Sequence, residues 1–173
     1  MISFLLTNAR SLTPKIGSLI EYFDERDLTF ALVTETWFTS GRATENNIAD
    51  LSVGVEIATI NKNRHHTVKK RGGGVALLYH KQRCSFKERK IKGNKYEIVC
   101  AIGKLRHNTR QCVVFVVYIP PDSLAETYHG ALSTIADEIA KVKSDLEDPY
   151  IIVGGDLNGR NICLLYTSPS PRD

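Results

Sequence analysis

The chain has little that would hold it together by covalent or metal staples, or carry it into a bilayer. Its four cysteines, Cys84, Cys100, Cys112 and Cys163, show neither close pairing nor the short spacing of a metal knuckle. That argues against a disulfide framework or structural zinc and for buried, neutral thiols in a reducing compartment. Long apolar runs are absent too: Cys112 to Pro121 is among the longest, well short of the roughly 20 residues a membrane-crossing helix needs. Ile2 to Leu6 is too short for the apolar core of a secretory leader and has no basic segment before it. No membrane partner is expected, and no internal repeat is evident. What remains is ordinary: 173 residues, 42% hydrophobic and 24% charged, enough for one domain with a real core.

The net charge of +4 is modest but unevenly placed. Lys62, Arg64, Lys69, Lys70, Arg71, Lys81, Arg83, Lys87, Arg89, Lys90, Lys92 and Lys95 crowd one stretch whose acid is Glu88. Such a block suits a polyanion, and it reads phosphate rather than base sequence.

Periodicity organises the rest. Ile2 to Thr7 reads as a buried strand, followed by Thr13-Pro14 as a helix start with Thr as N-cap and Pro at the first helical position. Ile16, Leu19, Ile20 and Phe23 then keep one apolar face. A strand from Phe30 to Thr34 leads to Glu35. Residues 39–70 are irregular and polar apart from a weak strand within Val53–Ile60. Gly72-Gly73-Gly74 opens onto a strand at Val75–Tyr79; because it precedes that strand, it suits a turn or close packing and not a mononucleotide phosphate loop. Tyr96–Leu105 and Gln111–Ile119 predict an antiparallel hairpin closed by Pro120-Pro121. Ser123 and Glu126 have the spacing of a capping box, and Tyr128, Leu132, Ile135, Ile139, Val142 and Leu146 form the best helical stripe. Together these predict a layered α/β protein with at least one mixed sheet.

The chemistry concentrates at strand ends. The run Tyr150 to Asn158 is a short apolar strand that breaks at Gly154-Gly155 and delivers Asp156 and Asn158, which in an extended chain face one side and meet one metal ion or one phosphate. Glu35 is a second strand-end acid, and the two suggest a shared site. Trp37 reads as packing. His65 and His66 read as surface residues.

Five blocks in order carry a resemblance: Asn8-Ala9-Arg10-Ser11-Leu12, Thr34-Glu35-Thr36-Trp37, Arg71-Gly72-Gly73-Gly74-Val75-Ala76, Val117-Tyr118-Ile119-Pro120-Pro121 and Gly155-Asp156-Leu157-Asn158. Over residues 2–160 the chain resembles the endonuclease/exonuclease/phosphatase superfamily, most like the apurinic-type endonuclease domain of non-LTR (LINE-like) retrotransposon polyproteins. The resemblance implies a four-layer α/β sandwich of the DNase I-like kind and water attack on a phosphodiester. The implied cofactor is Mg2+, with Mn2+ as a substitute, held by Glu35 with Asn8 beside it. It implies that Asp156 orients or activates the water, that Asn158 holds the scissile phosphate, and that Tyr118 contacts the phosphate or departing oxygen. It further implies DNA as partner, a reverse transcriptase domain in the same parent polyprotein, and action in the nucleus.

The chain departs from that pattern in its second half. The family's later polar residues, ending in a Ser-Asp-His block, have no counterpart, and none of His65, His66, His80, His107 and His129 sits where that block belongs. Leu157 stands where phenylalanine is commoner. Residues 161–173, from Asn161 to the proline-rich end, lack periodicity and read as a non-native, disordered tail after a partial domain over 1–160. The expectation is an incomplete sandwich lacking much of its second half, poorly soluble and inactive by itself. The rival readings are a superfamily member acting on a phospholipid or inositol phosphate, and a non-catalytic nucleic-acid-binding module.

Overall fold

Two strand–helix–strand units, one in each of two sheets, organise the chain. The computed structural model describes residues 2–38, 57–63, 72–106 and 108–158. The first unit is β1 (Phe4–Asn8), α1 (Ile16–Glu25) and β2 (Phe30–Thr34), with β1 and β2 paired in parallel. β3 (Ile57–Lys62) and β4 (Val75–His80) complete a sheet of order β1-β2-β4-β3, in which both β2 and β3 run antiparallel to β4. The second sheet has order β5-β6-β7-β8 and comprises β5 (Cys84–Glu88), β6 (Glu97–Leu105), β7 (Gln111–Tyr118) and β8 (Tyr150–Asp156). α2 (Ala125–Asp145) crosses over between the parallel pair β7 and β8.

Burial gives the layers. Ile16, Ile20 and Phe23 of α1 pack on Ala31, Val33 and Leu78 on the outer face of the first sheet. Phe30, Leu32 and Leu77 meet Val99, Val114 and Val116 between the sheets. Tyr128, Ala131, Ile135 and Val142 of α2 pack on Cys100, Val113 and Phe115 on the far side of the second. The result is the expected four-layer α/β sandwich. β2 and β7 read as nearly continuous apolar runs because each is covered on both faces. Phe30 anchors the middle layer by stacking on Phe4 at 5.3 Å and meeting Phe86 edge-on at 5.8 Å, contacts worth roughly 0.5–1.5 kcal/mol each beyond burial.

Among the described residues, the side of the sandwich formed by β1 and β8 is open. Phe4 and Leu6, on the face that looks between the sheets, are each 49% exposed, and Val153 on β8 is 46% exposed. Neither edge strand carries a charge before Asp156, so no charge within these two strands discourages pairing with another chain.

Several sequence expectations change. Thr13 does not cap a helix: Thr13–Lys15 is a 3-10 turn, and α1 begins at Ile16. Ser123 makes no capping bond either; α2 starts after an extended Leu124. Ala131 and not Leu132 lies in the core, since Leu132 is 36% exposed, and the buried stripe instead includes Glu138. β8 runs unbroken through Gly154-Gly155 to Asp156. β3 occupies Ile57–Lys62; residues 53–56 lie outside the described residues, as do His65, His66, His107 and the tail. β5 was not anticipated. Cys84, Cys100 and Cys112 are buried as expected, and burial pushes their thiols up, to about 12 for Cys84 and Cys100 and about 11 for Cys112.

The fold also divides the basic block. Arg83 pairs with Asp27 at 2.6 Å, and Arg89 holds Glu138 at 2.5 Å and Asp145 at 2.8 Å. The Glu138 side chain is only 4% exposed, and a buried carboxylate of that kind needs its cation. These two arginines are therefore engaged in structure. Lys81 and Arg83 follow the end of β4 remote from Asn8, whereas Lys90, Lys92 and Lys95 lie in the segment leading into β6 at Glu97, opposite Tyr118.

Candidate active site

In both parallel pairs the strands deliver their C-terminal ends to the same side, the usual place for a site in α/β architectures. Asn8 pairs with Thr34, one residue before Glu35, and Tyr118 pairs with Asp156. Four strand ends from two sheets therefore converge, and hydrogen bonds join them. Asn8 Nδ2 donates to Glu35 Oε1 at 3.2 Å and to Asp156 Oδ2 at 2.9 Å, bridging the two acids. The Tyr118 hydroxyl donates to Glu35 Oε1 at 3.0 Å from a buried position. Asn8 is exposed, Glu35 and Asp156 half-buried, so the cluster opens to solvent while resting on the core.

Asn158 joins differently from the expectation. Asp156 and Asn158 do not continue an extended strand: Asn158 has φ 45°, and its amide N–H donates to Asp156 Oδ1 at 3.2 Å, closing a tight local turn. Its side-chain Nδ2 donates to the Ile119 carbonyl at 3.0 Å, leaving the second hydrogen of that amide for another acceptor. Ile119 N–H in turn donates to the Asp156 carbonyl at 3.0 Å. Asp156 is thus fixed by backbone on one side and by Asn8 on the other.

The loops around the cluster are strained. Arg10, Ser11, Glu35 and Trp37 adopt φ of 44°, 79°, 52° and 56°, conformations costly for residues with a Cβ and found where surroundings impose them. Backbone bonds supply the constraint: Ser11 and Leu12 donate to the carbonyls of Glu35 and Thr36, while Thr36 and Trp37 donate to Gly74 and Gly73. Gly74 must be glycine. Its φ is +89°, and a Cβ there would lie 2.4 Å from Thr36 Oγ1. The triple glycine is a close-packing turn, as its place before β4 suggested. Trp37, read as a packing residue, is 37% exposed.

The donor set fits a hard divalent cation. Both hydrogen bonds to Glu35 fall on Oε1, so among the described residues no donor takes Oε2. The oxygen ligands at the cluster are the carboxylates of Glu35 and Asp156. Asn8 turns its Nδ2 to both of them and its Oδ1 to the Arg10 N–H at 3.2 Å, so its amide would have to turn over to face a cation. No cluster of three or more His, Cys, Asp or Glu occurs among the described residues. Magnesium is commonly held by one or two carboxylates with water and substrate phosphate completing its shell, so a sparse set suits it better than a dense cage would. His80 is buried at the opposite end of β4, and His129 is exposed on α2; neither joins the cluster.

Acids and amides gather at the strand ends of this two-sheet α/β sandwich, and the sequence profile of the Endonuclease/Exonuclease/phosphatase family matches residues 3–172. The chain belongs to that family, whose members are hydrolases acting on phosphodiester bonds and generally use divalent metals such as Mg2+. No curated protein matches at the sequence level. Among solved structures, the endonuclease domain of TRAS1, a telomere-specific non-LTR retrotransposon, is 16% identical with TM-score 0.59, covering 92% of this chain and 62% of that one. An AP endonuclease from Archaeoglobus fulgidus is 14% identical with TM-score 0.56, covering 91% and 58%. An endonuclease/exonuclease/phosphatase from Bacteroides vulgatus is 14% identical with TM-score 0.65, covering 91% and 66%. These likenesses show the fold, and the chain spans about three fifths to two thirds of the length of the three proteins.

Proposed function

We propose that the chain is part of a divalent-cation-dependent endonuclease that nicks DNA, in a parent polyprotein whose reverse transcriptase primes on the freed 3′ hydroxyl. The observation that carries this reading is the joining of Asn8, Glu35, Tyr118 and Asp156 by hydrogen bonds from four strand ends. Glu35, with Asn8 beside it, would hold the cation; when bound, it supplies charge neutralisation on a phosphoryl oxygen. Asp156 accepts the proton of the attacking water. Asn158, through its remaining amide hydrogen, donates to a phosphate oxygen without adding negative charge beside it, and the Tyr118 hydroxyl, whose one hydrogen lies on Glu35, would turn to the phosphate once Glu35 holds the cation. The strand-end sequence Asn8 to Leu12 and the likeness to the TRAS1 domain favour DNA and a nuclear place of action. By itself the 173-residue chain is proposed to be inactive, since no histidine among the described residues reaches the cluster.

The test is a plasmid-nicking assay on the chain joined to its genomic continuation. Nicking of supercoiled DNA that Mg2+ or Mn2+ supports and EDTA abolishes is the expected result. Hydrolysis of an inositol phosphate or phospholipid in preference to DNA would move the chain to the phosphatase branch. DNA binding without cleavage of any of these substrates would leave only a binding module.

A further inference from the structure

One hydrogen bond between the sheets is made beside the site by a residue that takes no direct part in the cluster. Glu97 opens β6 directly opposite Tyr118, and its Oε2 accepts the Gly74 amide of the first sheet at 2.5 Å. Gly74 and Gly73 in turn receive the amides of Thr36 at 3.3 Å and Trp37 at 3.0 Å. Two neighbouring residues of the second sheet therefore grip one loop of the first: Tyr118 on the Glu35 carboxylate, and Glu97 on the glycine turn behind it.

We propose that Glu97 is a positioning residue that locks the Glu35–Trp37 loop in its strained conformation through Gly74, and so sets where the Glu35 carboxylate stands. This rests on the reading of Glu35 as the cation ligand. The loop has reason to need a lock. Glu35 and Trp37 both carry positive φ, and all three glycines facing them do as well, at 102°, 74° and 89°. Such residues persist only where the surroundings over-determine them. Among the described residues Thr36 Oγ1 is buried without a hydrogen-bond partner, and it lies against Gly74, a further cost that the loop does not recover within itself. A carboxylate accepting a backbone N–H makes a bond about twice as strong as a neutral one. Lys62 stands nearby at the end of β3, opposite Val75, and donates to the Asn94 carbonyl at 2.9 Å. Burial pushes the Lys62 pKa down, against the opposing pull of Glu88 and Glu97.

Trp37 is the chain's one tryptophan, so its fluorescence reports this loop directly. In the 173-residue chain at low concentration, Glu97→Ala is expected to make Trp37 more accessible to acrylamide. It should also speed hydrogen exchange at the Gly74, Thr36 and Trp37 amides by about tenfold. Mn2+ half-saturation should rise by about tenfold to a hundredfold, the loss typical of groups that orient a ligand. Glu97→Gln keeps an acceptor oxygen and should recover most of the exchange protection. If Glu97→Ala does not fold, Glu97→Asp, one methylene shorter, carries the same test. Unchanged exchange, quenching and Mn2+ affinity would overturn the proposal, whatever happens to the melting temperature. Faster exchange in the variant with no Mn2+ binding by the parent would uphold the lock and sink the reading of Glu35 as a ligand.

Discussion

Asp156→Asn, in the chain joined to its genomic continuation, is expected to bind DNA as tightly as the parent and to cleave it about a hundredfold to ten-thousandfold more slowly. The substitution is nearly isosteric. Asp156 is held by its backbone carbonyl to Ile119 and by side-chain bonds from Asn8 at 2.9 Å and from the Asn158 amide at 3.2 Å. An asparagine can accept only with its carbonyl oxygen, so one of those two side-chain bonds weakens while the backbone bond survives. What disappears entirely is basicity: an amide takes no proton from water. Single-turnover nicking beside filter binding separates the two effects. Near-parental turnover would remove Asp156 from the proton transfer, and a matching loss of binding would make it a structural residue.

Gly155→Ala should have the largest effect on stability. A Cβ at this position would lie 1.8 Å from the Val117 carbonyl oxygen and under 3 Å from two more of its backbone atoms, and Gly155 has φ +154°. Val117 is the residue that Gly155 faces across β7 and β8, so relief requires the two strands to part where they deliver Tyr118 and Asp156. Summing overpacking and backbone strain gives a loss of about 2–5 kcal/mol, read as a fall in the urea midpoint. Because the displacement carries Asp156 with it, metal binding should weaken in the population that still folds. An unchanged midpoint would mean that the contact between β7 and β8 is looser than this geometry requires.

Much of this arrangement is legible in the sequence, for a physical reason. Asn8, Glu35, Tyr118 and Asp156 each end or follow an apolar run, and a polar residue at the end of such a run stands out, most of all after β2 and β7, which are buried on both faces and so nearly all apolar. The βαβ crossovers that bring these ends together announce themselves through the 3.6-residue stripes of α1 and α2. What was hidden lacks such contrast. β5 carries only Cys84 and Phe86 as buried residues among Ser85, Lys87 and Glu88, so its alternation is too short to register against the basic block. Glu97 looks like any acid starting a strand, because its meaning comes from Gly74, which the chain reaches only through the packing of two sheets. The strain at Glu35, Trp37 and Asn158 is likewise invisible to periodicity: left-handed backbone in residues other than glycine is imposed from outside the segment. The helix starts misled for the converse reason. Thr13-Pro14 and Ser123 to Glu126 have the right chemistry for caps, yet Leu12 and Leu124 occupy the capping positions without a side-chain bond.

The most direct measurement is a Mn2+ titration of the 173-residue chain followed through its asparagine side-chain amide resonances, since paramagnetic broadening falls steeply with distance. Asn8 should broaden first, ahead of Asn108, which lies between β6 and β7 at the end of β7 remote from Tyr118, and Glu35→Gln should abolish the effect. Equal broadening of Asn8 and Asn108, or broadening at Asn8 that survives Glu35→Gln, would contradict a cation site at these strand ends.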